Sequence, residues 1–230
     1  MVALANRAPV LADLWRLSTA LAATVLPARA SYSQHGEDVW LLEQVRDLPR
    51  DRFHYVDVGA NHPSRISNTY LLYRHGFSGL VIEPDESLLA LHRRFRPRDT
   101  AVWSACGEQA GLARFVIRTI SGLSALSGSA APESSARVRR VAYVPVLPLD
   151  AIAEAAVPGP IAVLSIDTEG ADSDVLRSAS RTLERTLFVV VEANTEDAAD
   201  SISAILAEGF EPVRQAGPNL IWRNRDFDAV

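Results

Sequence analysis

The sequence predicts an α/β protein built on a mostly parallel sheet with helices on both faces. Two observations carry that prediction. Apolar strand-like runs alternate with helical patterns from about residue 53 to residue 207, which is the signature of a parallel sheet. The runs also end in polar residues, Asp57, Glu83, Ser104 or Cys106, Asp167 with Glu169, and Glu192 with Asn194, at the strand ends where ligands of open α/β sheets bind.

Residues 1–30 read as a helical arm. Leu11, Leu14, Leu17, Leu21 and Val25 recur at intervals of three or four, so the expectation is an amphipathic helix with that face packed on the domain. Ala28-Arg29-Ala30 has the shape of a signal-peptide cleavage site behind an apolar stretch. Asp13 and Arg16 at its edge argue against a cleaved signal, and the stretch is too short to span a bilayer.

The main domain is expected over residues 31–230. The polar cluster Tyr32, Ser33, Gln34, Glu37 and Asp38 opens a helix that runs to Val45. FHYVDVGAN (53–61) is a buried strand opening into a tight turn at Gly59, followed by a helix over 67–75. GLVIEP (79–84) is the second strand, 88–95 a helix stopped by Pro97, and AVWSACG (101–107) the third strand. ARFVIRT (113–119) and VAYVPVLPLD (141–150) are strand-like without an intervening helix. The Ser-, Ala- and Gly-rich stretch between them has the length of a lid or binding loop. IAVLSID (161–167) is the fourth parallel strand, with a helix over 168–180. LFVVVEAN (187–194) is the fifth, with a helix over 198–207. The tail reads as a hairpin around Gly217-Pro218, an antiparallel edge pair.

At 230 residues, 48% hydrophobic and 22% charged, the chain has material for one well-buried core. A net charge of −5 argues against nucleic acid as a partner, and no membrane partner is expected. The clusters Arg93, Arg94, Arg96, Arg98 and Arg137, Arg139, Arg140 are expected to face water. Cys106 is the only cysteine, which excludes an intramolecular disulfide and suggests a reducing, cytoplasmic setting.

The chemistry is concentrated at the first turn. Gly59 supplies a backbone angle closed to other residues, and Ala60 keeps the approach open. Glu83, at the end of the second strand, stands where a carboxylate accepts the two ribose hydroxyls of an adenosine cofactor. GANHPS lacks the glycine fingerprint of a pyrophosphate cradle, so S-adenosyl-L-methionine fits better than NAD. Asp167 can act as a base toward a substrate hydroxyl, with His62 as its rival. Alternatively, Asp167, Glu192 and Asn194 can hold a hard cation such as Mg²⁺.

YSQHGED (32–38), YVDVGANHPSRISNTYLLY (55–73), GFSGLVIEPD (76–85), LSIDTEGADSDVL (164–176) and VVVEAN (189–194), in this order and spacing, resemble the FkbM-type S-adenosylmethionine-dependent methyltransferases. The resemblance implies a Rossmann-like class I methyltransferase fold, a seven-stranded sheet with its last hairpin antiparallel. It implies that Asp57, Gly59 and Asn61 line the methionine end of the cofactor, Glu83 the ribose, and Ser104 to Gly107, Cys106 included, the adenine. Gln34 and Ala60 are carried with them as cofactor-binding residues, and Asp167 faces the transferred methyl. The acceptor it implies is a hydroxyl on a sugar or small natural product. An NAD(P) oxidoreductase and a non-catalytic cofactor-binding protein are the competing readings, the first lacking the glycine fingerprint and any lysine. Oligomeric state, homo-oligomer included, is left open.

Overall fold

The computed structural model describes residues 8–25, 30–119, 124–126 and 137–227. Helices α1 (Ala8–Val25) and α2 (Glu37–Val45) come first. Strand β1 (His54–Val58), helix α3 (Tyr70–Arg74), strand β2 (Ser78–Ile82), helix α4 (Glu86–Phe95) and strand β3 (Thr100–Val102) then alternate. Four strands follow together: β4 (Ala105–Cys106), β5 (Gly111–Arg118), β6 (Ala125–Leu126) and β7 (Val138–Leu147). The chain closes with α5 (Leu149–Ala156), β8 (Ile161–Ile166), α6 (Asp172–Arg177), α7 (Ser180–Glu184), β9 (Thr186–Glu192), α8 (Glu196–Leu206), β10 (Phe210–Ala216) and β11 (Asn219–Asn224).

Seven strands form one sheet in the order β3-β2-β1-β8-β9-β11-β10, and β11 is antiparallel to both of its neighbours. The predicted α/β architecture and its terminal hairpin are therefore present. β1 pairs in parallel with both β2 and β8, so the chain direction across the sheet reverses at β1 and a crevice opens between β1 and β8. Alternation along each strand feeds two cores. Val56, Val58, Leu80 and Ile82 pack with Ile152 of α5, Val175 of α6 and Ile202 of α8. Tyr55 points the other way and packs with Leu41 and Val45 of α2 and Leu72 of α3.

Several elements differ from the pattern expected of the sequence. Residues 101–107 are not one strand: β3 stays in the main sheet, and β4 leaves it to pair with β7 in a second sheet of order β4-β7-β5-β6. The strand expected over 141–150 ends at Leu147, and Leu149 begins α5, whose first backbone N–H donates to Ser178 Oγ. The helix expected over 168–180 is the short α6, followed by a separate α7. The proposed lid over the Ser-rich stretch lies mostly outside the described residues. Among these, Ala125–Leu126 pairs with Phe115 and Val116. No described helix is long and apolar enough to cross a membrane.

Arg96 departs furthest from its expected place in water. It is 0% exposed. Its guanidinium donates from Nε to Asp99 at 2.6 Å, and to Tyr55 Oη and Thr69 Oγ1 at 2.9 Å each. Thr69 passes the contact on, donating to Asp57 Oδ2 at 2.5 Å. Burial, helped by the Asp99 charge, raises the Asp57 carboxyl above its usual range; Arg96 and the Thr69 hydroxyl offset part of that rise. Removing the cation would leave two buried acids uncompensated. Arg96→Met is therefore expected to cost about 3–5 kcal/mol in urea unfolding, and a loss below about 1 kcal/mol would contradict this account.

α1 forms as expected but turns a different side to the domain. Arg16 and Ala20 are buried, while Leu14, Leu17 and Leu21 face outward. The helix is tethered through His62: the ring Nε2 lies 3.0 Å from both Thr19 Oγ1 and the Arg16 carbonyl, and Nδ1 accepts from the Ser64 N–H. The accepting Nδ1 requires the neutral ring, and burial lowers the His62 pKa to about 4. The unfolded chain takes up a proton near pH 6.5 that the folded one does not take up until about pH 4. His62 thus costs stability as pH falls through that window, up to roughly 3 kcal/mol. Relative to the non-titrating His62→Gln, the natural chain is expected to lose unfolding free energy between pH 7 and 4, as measured by chemical denaturation. A difference that does not change with pH would contradict the assignment.

Candidate active site

A cleft with about 630 Å³ of empty space lies beyond the carboxyl ends of β1, β2 and β8. Its floor is the turn after β1. Gly59 adopts φ 74°, and a Cβ there would fall 1.9 Å from the Asp167 carbonyl oxygen, so only glycine lets the two strand ends close on each other. Asn61 follows with φ 47°. Its N–H donates to Glu83 Oε2 at 2.8 Å and its carbonyl accepts from His92 Nε2 at 3.0 Å, so the turn is held from both sides.

Glu83 is buried at the end of β2. Besides the Asn61 N–H it accepts the Asp85 N–H at 2.7 Å, on Oε1. Burial nevertheless raises its pKa to about 8, the two backbone donors lowering it in part. Hydroxyl donors from a ligand would complete the carboxylate's hydrogen bonding and favour its ionised form. The wall opposite is made by Ala105 and Cys106 of β4, with Ser104 just before them, and by Phe115 and Leu126 from β5 and β6. The Ser104 hydroxyl is engaged by the Ala105 and Pro145 carbonyls, and burial pushes the Cys106 thiol up to about 12. This wall is therefore shaped and apolar rather than reactive.

Three carboxylates crowd the far end. Asp167, Glu169 and Glu192 each offer an oxygen within 4.8 Å of the others. Burial first, then the charges of Glu192, Glu169 and Asp172, push the Asp167 carboxyl well above its usual range. Glu169 is raised to about 7 by burial and the same neighbours. Like charges this close cannot all ionise unless a cation joins them. Asp167 Oδ1 and Asn61 Oδ1 are both buried without a hydrogen-bond partner among the described residues, and both residues line the cleft. Those orphaned acceptors fit a ligand that brings donors and positive charge.

The structure sorts the sequence-predicted residues. Gly59, Asn61, Glu83, Ser104, Cys106 and Asp167 line the cleft. Asp57 does not: its carboxylate is turned beneath the turn, toward Thr69 and Arg96. Ala60 is buried behind the turn, its N–H donating to the Ile82 carbonyl. Gln34 is exposed and lines no part of the cleft. His62, the rival base, faces α1 instead. Asp167 and Glu192 do come together, but Asn194 is exposed and donates its amide to Glu192 Oε2 at 2.7 Å, so Glu169 is the third member of the group. Phe115 and Leu126 were not foreseen, because they reach the cleft only through the second sheet.

The model of the methyltransferase FkbM domain matches residues 57–215. No curated protein matches the chain. Among solved structures, a TehB-like SAM-dependent methyltransferase from Corynebacterium glutamicum is 12% identical at a TM-score of 0.46, covering 94% of this chain and 100% of that one. A Thermoplasma acidophilum protein is 10% identical at 0.44, covering 92% and 98%. The METTL16 MTase domain is 10% identical at 0.44, covering 84% and 67%. The match over 57–215 spans well over half of the sequence and takes in the turn, Glu83 and the three carboxylates, and the chain accordingly belongs to the FkbM methyltransferase family.

Proposed function

We propose that the chain is an S-adenosyl-L-methionine-dependent O-methyltransferase acting on a hydroxyl of a sugar or small natural-product acceptor. The observation that carries this reading is the pairing, across one cleft, of a Glu83 carboxylate aimed at ribose-type hydroxyls with a crowded acidic end at Asp167. When bound, the cofactor supplies a methyl group already activated on a positively charged sulfur. Glu83 would hold the ribose, the turn at Gly59 and Asn61 would line the methionine end, and the wall at Ser104 to Cys106 would border the adenine. The carboxylates of Asp167, Glu169 and Glu192 would balance that positive charge, and beside it Asp167 would be held closer to its ionised form. Asp167 Oδ1 then takes the proton of the acceptor hydroxyl. Orientation of that hydroxyl contributes further rate without any covalent intermediate on the protein.

A second reading has its own support. The three clustered oxygens suit a divalent cation such as Mg²⁺, which would lower the hydroxyl's pKa directly. The two readings separate by experiment. Turnover of an acceptor panel that survives EDTA supports the carboxylate base; turnover restored by Mg²⁺ after EDTA supports the metal.

Calorimetric titration with S-adenosylhomocysteine tests the cofactor site. Binding is expected in the natural chain, weakened at least about tenfold in Glu83→Ala, with no heat from NAD. An NAD signal without one from S-adenosylhomocysteine would overturn the reading in favour of an oxidoreductase. Asp167→Asn is expected to keep S-adenosylhomocysteine binding while turnover falls about 10²- to 10⁴-fold. Undiminished turnover would remove Asp167 from the reaction.

A further inference from the structure

Helix α1 has its polarity reversed. Its domain side buries Arg16 and Ala20, with Thr19 bonded to His62. Its outward side carries Leu14, Trp15, Leu17 and Leu21, each between 44% and 56% exposed. Leu14, Leu17 and Leu21 follow the three- and four-residue steps of one helix face, so they form a continuous stripe. Single exposed apolar side chains are ordinary on a soluble surface. A contiguous stripe on a helix that keeps its arginine inside marks a face that meets something other than water.

Positive charge flanks the stripe. Arg65 lies over the Trp15 ring, 4.0 Å from its centroid. Leu21 shares a trough with Arg74, Arg94 and Arg98, and among the described residues no acidic one lines it. Asp13, the acidic side chain described on the helix, is paired with Arg139 at 2.7 Å. In a chain of net charge −5 this is a local excess of cations.

We propose that this face docks on an anionic lipid surface. Leu14, Leu17 and Leu21 enter the boundary between headgroups and acyl chains, Trp15 sits at headgroup level, and the arginines meet the lipid anions. A second copy of the chain is the poorer occupant. A two-fold contact would join two copies of the same cation-flanked face, with no acidic surface among the described residues to answer it, whereas an anionic membrane presents the opposite sign. Residue order alone does not reveal this face: net charge averages over the whole surface, and the leucine spacing does not say which way the stripe points.

The test uses the full chain and sedimentation with sucrose-loaded vesicles. Vesicles of phosphatidylcholine with phosphatidylserine are expected to carry down the protein at least about tenfold better than phosphatidylcholine alone, with the advantage lost at high salt. Two variants, Leu14→Ser with Leu17→Ser and Leu21→Ser, and Arg94→Glu with Arg98→Glu, are each expected to remove it while keeping the natural circular-dichroism melt. Equal binding to both vesicle types would overturn the proposal, as would variants that bind like the natural chain. It would equally be overturned by a dimer in sedimentation velocity that the triple leucine variant converts to monomer, because a second copy would then own the face.

Discussion

A single buried cation underlies the first turn. Arg96 reaches Tyr55 on β1, Thr69 at the head of α3, the Pro63 carbonyl in the intervening loop, and Asp99 beyond α4. Each contact comes from a different segment, so one guanidinium ties four parts of the chain together. The loop from Gly59 to Thr69 therefore has its shape fixed from below by charge. Packing alone could not do this, because the loop's own backbone visits conformations, at Asn61 and Ile66, that side chains ordinarily avoid.

What stands on that base is a division of labour across one crevice. The β2 side offers a carboxylate with two backbone donors and room for more, and the β8 and β9 side offers three carboxylates with too few cations. A ligand polar at one end and positive at the other suits both. The second sheet closes the gap: β4 leaves the main sheet to pair with β7, and β5 and β6 supply Phe115 and Leu126 as a roof. The shape of the cleft thus depends on the second sheet as much as on the first.

Much of this was legible in the sequence, for reasons that differ by element. β1, β2, β8 and β9 are buried on both faces and so read as apolar runs, and Glu83 and Asp167 follow from their position at the strand ends. The break between β3 and β4 was not legible, because AVWSACG is apolar throughout and the partner of β4, β7, lies some 40 residues on. α5 was hidden for a related reason: Pro148 and the apolar residues around it continue the strand pattern into a helix. Arg96 sat in a run of arginines, where periodicity does not separate the buried one from its solvated neighbours. His62 and Gln34 adjoin cleft-forming motifs in sequence, yet one faces α1 and the other faces solvent. Adjacency along the chain is not adjacency at the site.

The reversal of chain direction at β1 has a consequence for how the molecule comes into being. Asp57 sits in register with Ser165, so the two strands that flank the crevice are about a hundred residues apart. Contacts of that separation are the slowest to form, whereas β1, β2 and β3 with their two helices are joined by short connections. The first three strands and the Arg96 network can therefore assemble before β8 arrives, with one edge of β1 still bare. An apolar strand edge left open in this way is the sort that pairs with a neighbouring molecule. On this view the interval before β8 docks is when the chain is most exposed to aggregation, and the same docking step that completes the cleft also covers the bare edge.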